Sequence, residues 1–323
     1  MIARRVLVTG ASGFVGRALV HELLSRDFLV TASSRSPIEF PSGVRAVRVG
    51  DLGPDTDWAE ALRDCDAVVH CAARVHVMAE TATDPLVAFR LANVEGTVRL
   101  AMQARDAGVK RFVHLSSIKV NGEGTPRGRP FTERDAPAPG DPYGVSKLEG
   151  ERRLRHVAEG SALQLVVIRP PLVYGPGVRA NFLSMSRWIA RGTPLPFGCI
   201  TQNRRSLVGL DNLLDLIATC LTHPAAAGET FLVSDGEDLS TTELLRRTAA
   251  ALGTPARLVP VPAAVLSLGA RVLGRGGLWQ RLGGSLQVDI THARTRLGWS
   301  PPVTVDEGLH RAVQAIVRSG ASE

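Results

Sequence analysis

The stretch Thr9-Gly10-Ala11-Ser12-Gly13-Phe14-Val15-Gly16 follows the apolar run Arg5-Val6-Leu7-Val8 and opens a helical pattern over residues 15–25. Gly10 permits a tight turn, Gly13 lets backbone approach a pyrophosphate, and Gly16 lets helix and strand pack closely. The helix start then presents unpaired N–H groups and a positive dipole end to the phosphates. A glycine-rich turn by itself would be weak; strand, glycines and helix in that order read as a dinucleotide-binding turn.

Outward from this turn, short apolar runs alternate with helical patterns. Strands are expected at 5–9, 28–32, 46–49, 67–71, 111–116 and 165–169, and helices at 15–25, 57–62, 86–107 and 143–159. Strands regularly separated by helices imply a parallel sheet covered on both faces, an α/β, Rossmann-type doubly wound fold. After residue 172 the character changes: 170–177 and 192–198 are rich in Pro and Gly and read as loops. A helix at 211–221, a strand at 230–234 and a capped helix at 241–251 follow. The expected organisation is a dinucleotide-binding domain over 1–172, with 205–235 returning to it, and a smaller C-terminal substrate-binding region from 173–204 and 236–323.

The composition of the 323 residues sets limits. Hydrophobic residues are 44% and charged residues 21%, ordinary values for a globular chain large enough to fold without disulfides. Cys65, Cys71, Cys199 and Cys220 have no CxxC spacing and read as reduced thiols; no His/Cys/Asp cluster suggests a metal, and His70-Cys71 with His76 reads as strand-end packing. The apolar pattern from Val6 leaves no room for a cleavable leader, and no run reaches the ~20 apolar residues of a membrane span. A cytoplasmic location is expected. The net charge is +7, yet arginines are spread along the chain, the only lysines are Lys110, Lys119 and Lys147, and aromatics are 5%. That pattern argues against nucleic acid and for a field that attracts anionic small ligands.

Thr-Gly-x-x-Gly-x-x-Gly resembles the fingerprint of extended short-chain dehydrogenases/reductases, the NAD-dependent epimerase/dehydratase family. The resemblance extends from residue 5 to about 312 through Asp51-Leu52, His70-Cys71-Ala72-Ala73, Asn93-Val94-Glu95-Gly96-Thr97 and Leu297-Gly298-Trp299-Ser300-Pro301. It implies cofactor contacts from Gly10, Ser12, Gly13, Phe14, Val15, Gly16, Asp51, Leu52, Cys71, Ala72, Ala73, Asn93, Ser116 and Pro170. Members that prefer NAD carry an acid at the end of the second strand to hold the ribose hydroxyls. Ser34 stands there instead, followed by Arg35, whose fork suits a 2′-phosphate. NADP(H) is therefore favoured, with NAD(H) as the alternative.

Tyr143-Gly144-Val145-Ser146-Lys147 sits at the head of a helix, so phenol and ammonium share one face. A phenol of pKa about 10 is a poor base at neutral pH; a neighbouring cation favours phenolate and brings it into range. By resemblance, Tyr143 moves the proton, Lys147 also holds the nicotinamide ribose, and Ser117 hydrogen-bonds the reacting oxygen. Tyr143 and Tyr174 are the chain's only tyrosines. The positions after Ser117 are Ile118 and Lys119, where the family's 4,6-dehydratases place an Asp-Glu pair, so dehydration is not expected. Val77, Lys119, Asn181 and Arg205, beside the loop 169–177, are the expected substrate contacts, Arg205 as a clamp on the nucleotide diphosphate with Arg204 as its competitor.

Two reactions fit these residues. The first expectation is NAD(P)H-dependent reduction at C4 of a nucleotide-linked 4-keto sugar, a UDP-4-keto-6-deoxy-N-acetylhexosamine, in surface polysaccharide (O-antigen) synthesis. The alternative is a 4-epimerase of a UDP-hexose or its N-acetyl form, with tightly held NAD. A non-catalytic dinucleotide sensor has little support, since Ser117, Tyr143 and Lys147 are all present. The resemblance further implies a homodimer. Residues 261–282 mix leucines, Trp279 and arginines; a substrate lid or packing helix is the first reading and contact with a membrane surface the second.

Overall fold

Val6, Leu7 and Val8 are each fully buried, as a strand covered on both faces requires. They sit in the first strand of a computed structural model that describes residues 4–75, 84–178, 180–274 and 276–320. In chain order the first half runs β1 (Arg5–Thr9), α1 (Phe14–Ser25), β2 (Leu29–Ser34), β3 (Arg45–Arg48), α2 (Ala59–Leu62), β4 (Ala67–His70) and α3 (Pro85–Arg90). A π-helical turn Leu91–Gly96 leads into α4 (Thr97–Asp106), β5 (Arg111–Leu115), a 3-10 turn Ile118–Val120, α5 (Pro142–Ala158) and β6 (Gln164–Arg169). Then come β7 (Leu172–Tyr174), α6 (Ala180–Ala190), β8 (Arg205–Gly209), α7 (Leu210–Thr222), β9 (Thr230–Leu232) and β10 (Asp238–Leu239). The helices α8 (Thr241–Ala251), α9 (Ala263–Val272), α10 (Gly276–Gly283), α11 (Thr291–Leu297) and α12 (Val305–Gly320) complete the chain.

Seven parallel strands in the order β3-β2-β1-β4-β5-β6-β9 form the main sheet, a doubly wound Rossmann-type arrangement with one added strand. Alternate residues of each strand feed opposite layers. Val6, Val8, Val113 and Ile168 pack with Leu19 and Leu23 of α1 and Leu213 and Ile217 of α7. Leu7, Val68, Phe112 and Val167 pack with Leu100 and Ala104 of α4 and Leu154 of α5. Truncating one such fully buried leucine costs about 2–5 kcal/mol.

The segment 205–235 divides between two sheets. α7 and β9 serve the main sheet, β9 pairing with β6. β8 instead pairs with β7 and β10 in a separate three-stranded sheet. Beside it, Tyr174 is fully buried and donates to Asp235 Oδ2 at 2.8 Å.

The helical stretch expected at 86–107 is not one regular α-helix. Its centre is wound wider at Leu91–Gly96, and two close approaches surround that turn. A Cβ on Gly150 of α5 would lie 2.7 Å from the Asn93 carbonyl oxygen, and one on Gly96 would lie 2.8 Å from the Gly53 nitrogen. Single π-turns of this kind concentrate at functional sites.

Candidate active site

Gly10, at the C-terminal end of β1, has φ +64°, and a Cβ there would meet the backbone of Ala72 at 2.8 Å. A Cβ on Gly16 would lie 2.2 Å from the Gly10 carbonyl oxygen, so the turn, α1 and the end of β4 close onto one another only with glycine. α1 starts without a side-chain cap and without an acid in its first turn. Among the described residues, nothing accepts from the N–H groups of Phe14, Val15 and Gly16. Ser12 and Gly13 are exposed beside them. The donor set therefore fits an anionic pyrophosphate. Cys71, Ala72 and Ala73 continue from β4 as half-exposed small residues along the same crevice.

At the far end of β2, Ser34 is buried and its hydroxyl donates to the Ser36 carbonyl at 2.8 Å. Arg35 is exposed and pairs with Asp51 at 3.0 Å; Arg48 donates to the Arg35 carbonyl at 3.2 Å. Arg35, Arg48, Val49, Gly50 and Asp51 line an open pocket of about 390 Å³. Leu52 lies against Gly96 of the π-turn.

Asp141 caps α5 by accepting from Gly144 N at 2.7 Å. A Cβ on Gly144 would lie 2.9 Å from the Lys119 carbonyl, so this glycine lets the helix start against the 3-10 turn. Tyr143 is half-buried, edge-on to Phe89 with centroids 5.9 Å apart, and the Ser117 hydroxyl is close enough to its phenol to favour ionisation. Burial first, and then the Asp141 carboxylate, push the phenol up to about 12, while the Ser117 hydroxyl works the other way. The bare site thus holds a neutral phenol. Lys147 is 2% exposed and donates to the Leu115 carbonyl at 2.8 Å. Burial brings its ammonium down to about 8, opposed by the Glu151 carboxylate.

Behind these groups lies a set of contacts the sequence reading missed. Ser116 donates its hydroxyl to Glu151, one turn after Lys147, and Glu151 is held by Arg169 through two hydrogen bonds. Arg169 also donates to Asn121 Oδ1 at 2.9 Å, and Pro170 accepts from Ile118 N at 2.9 Å. Asn93 is fully buried: its amide nitrogen donates to Ser146 Oγ and to the Arg74 carbonyl, both at 3.0 Å, and its oxygen accepts from Arg74 N. His70 bridges Thr9 and Thr97 and stacks on His114 at 5.6 Å; among the described residues, both nitrogens of His114 lack hydrogen-bond partners.

The expected substrate contacts fall differently. Lys119 bonds Asp141 and Glu123, so its ammonium is already engaged by two carboxylates. Arg205 is half-buried and donates to the Gly284 carbonyl at 3.1 Å, while Arg204 is tied to Thr201, Asn203 and Glu243. Desolvation lowers the Arg205 guanidinium, and Glu123 opposes that shift from the side of the 3-10 turn. Asn181 belongs to α6, with its side chain outside the described part; Val77 and His76 lie outside the described residues. Among those residues no cluster could hold a metal, and no helix is long and apolar enough to cross a membrane.

The profile of the NAD dependent epimerase/dehydratase family matches residues 6–234. The chain belongs to that family. A curated Vibrio cholerae relative named UDP-glucose 4-epimerase is 48% identical over 317 residues, 98% of this chain and 96% of its own length. A second UDP-glucose 4-epimerase, from Mycolicibacterium smegmatis, is 31% identical, with 96% and 97% covered. The solved structure of MoeE5 in complex with UDP-glucose and NAD superposes with a TM-score of 0.77 at 28% identity, covering 98% of this chain and 99% of that one. As an NAD dependent epimerase/dehydratase family member, the chain is an enzyme whose glycine turn, Ser117, Tyr143 and Lys147 stand together at the C-terminal ends of the parallel strands, where ligands of open α/β sheets bind.

Proposed function

We propose that this protein is a UDP-sugar 4-epimerase that holds NAD and interconverts C4 epimers of a UDP-hexose or its N-acetyl form. The observation that carries the reading is the Ser117–Tyr143–Lys147 arrangement, in a chain 48% identical over nearly its whole length to a UDP-glucose 4-epimerase. The reductase reading placed first by sequence has no comparable full-length relative among those described above.

A bound nicotinamide supplies a reversible hydride acceptor for C4. Tyr143 takes the C4 hydroxyl proton and later returns it, with Ser117 bonding the same oxygen. Lys147, buried beneath them, adds positive charge that stabilises phenolate. Lys119 works from the other side: by pairing with Asp141 it neutralises the carboxylate that resists ionisation of Tyr143. Arg205 supplies a charge for the nucleotide diphosphate. The N–H groups of Phe14, Val15 and Gly16 hold the dinucleotide pyrophosphate. The division of labour expected from sequence, 1–172 for the dinucleotide and 173–204 with 236–323 for the substrate, belongs to the same proposal, with β8 carrying Arg205 on the substrate side.

One observation favours a second cofactor form. Arg35 and Arg48 line the pocket at the end of β2, where Ser34 replaces the acid that would repel a 2′-phosphate and Asp51 pairs with Arg35. Their charge suits NADP(H), the cofactor of the reductase reading.

Absorbance at 340 nm separates the two reactions. With UDP-4-keto-6-deoxy-N-acetylglucosamine and NADH or NADPH, the epimerase reading expects no net consumption beyond one enzyme equivalent. Continuous stoichiometric loss would replace it by the reductase reading.

A further inference from the structure

Helix α9 contains no buried residue. Val265, Leu268 and Val272 stand at i, i+3 and i+7, the spacing of one helix face, and are 58%, 63% and 79% exposed. Leu273 continues the stripe at 72%. Such a run costs solubility unless something covers it.

The sequence that flanks this helix is one-sided in charge. From Leu244 to Val288 the chain has no carboxylate, yet it carries Arg246, Arg247, Arg257, Arg271, Arg275 and Arg281. Arg247 is neutralised by Glu237 and Asp306. Among the described residues, Arg257, Arg271 and Arg281 form no ion pair. Trp279 of α10, the helix that packs against α9, is half-buried. A second copy packed by two-fold symmetry would set this cationic, carboxylate-free segment against itself.

We infer that α9 docks on the surface of an anionic phospholipid bilayer, the aliphatic stripe entering the headgroup boundary while the arginines meet lipid phosphates. Apolar anchors beside arginines without acids are the composition of interfacial helices. The location relates to the site. At and just after the end of α10 lie Leu282 and Gly284, whose carbonyls accept from Asn203 and Arg205, and Ser285, whose carbonyl accepts from Thr125. Docking therefore brings the bilayer to the same region as Arg205 and the loop after Ser117.

Flotation of the full chain with vesicles tests this. The protein should float with phosphatidylethanolamine vesicles containing phosphatidylglycerol, sink with phosphatidylcholine vesicles, and be released as salt rises from ~0.1 to ~0.5 M. Leu268→Glu with Val272→Glu should reduce the floated fraction at least tenfold, with the circular dichroism spectrum and turnover of soluble UDP-sugar unchanged. Arg271→Glu, at an exposed position, should weaken binding in the same direction. Wild type that stays at the bottom with anionic vesicles overturns the inference, as does equal flotation with phosphatidylcholine. A double-glutamate variant that still floats overturns it too. If that variant halves the sedimenting mass, the face belongs to a second copy and the membrane assignment fails.

Discussion

Glu151 turns both carboxylate oxygens onto Arg169, Oε1 accepting from Nε at 2.9 Å and Oε2 from Nη2 at 2.6 Å, with side chains only 2% and 5% exposed. This buried pair joins α5, which carries Tyr143 and Lys147, to the end of β6, and through Ser116 to the end of β5. Glu151→Gln leaves a buried guanidinium without its counter-charge, so stability should fall by about 3–5 kcal/mol in urea unfolding. Turnover at a temperature where the variant is folded should fall through kcat more than through KM, because Ser117 loses its anchored neighbour. A stability loss below about 1 kcal/mol, the range of surface pairs, would show that the pair does not hold these segments together.

Tyr143 and Tyr174 give a clean optical probe. Burial is the largest cause at both, pushing Tyr143 up to about 12 and Tyr174 upward as well, with Asp235 adding to the second. Tyrosinate absorbance of the folded bare chain should stay flat past the usual tyrosine range near pH 10, and NAD+ should bring in one ionising phenol at lower pH that Tyr143→Phe abolishes. Lys119→Ala should move that phenol, and the acidic limb of the kcat profile, upward by unmasking Asp141. An unchanged or lowered value would refute the counter-charge role given to Lys119.

The stacked pair His70 and His114 predicts acid sensitivity. Desolvation holds His70 down to about 3 and His114 well below the usual range, with the Lys147 charge adding to both. Below about pH 6.5 the unfolded chain binds protons that the folded chain refuses, so stability falls as pH falls. Each buried, neutral histidine contributes to that loss. Melting temperature should therefore drop steeply from pH 6.5 to 4.5. His114→Leu, which also removes two unpartnered nitrogens, should flatten that slope; an identical slope would contradict the assignment.

Arg35 should decide part of the cofactor preference. Its loss removes a charge-assisted contact to a 2′-phosphate, so Arg35→Ala should weaken NADPH roughly tenfold or more and leave NADH within a factor of two, as read by nucleotide fluorescence titration. Equal effects on both cofactors would mean that Arg35 serves only its pair with Asp51.

Much of this was legible in the chain because it depends on near neighbours. The run from Arg5 to Gly16 specifies strand, turn and helix locally, and the four-residue step from Tyr143 to Lys147 fixes a shared helix face. The same step onward to Glu151 was equally visible, but its partner Arg169 arrives from another strand, so its meaning needed the fold. The π-turn at Asn93 escaped because apolar periodicity cannot separate 3.6-residue winding from a single wider turn; the close approach of Gly150 marks it only in three dimensions. Lys119 read as a substrate contact because its partner Asp141 is 22 residues away. β8 read as part of the main-sheet segment because strand residues do not declare which sheet they join.

Proton NMR of the anomeric signals tests the central claim most directly. The purified protein, given UDP-glucose and UDP-galactose in separate tubes, then the two N-acetyl forms, with NAD and no reductant, should bring one of those pairs to the same epimer ratio from either side, and Tyr143→Phe should slow this at least a hundredfold. Unchanged sugars in every tube, from folded protein that instead consumes NADPH with a 4-keto sugar, would contradict it.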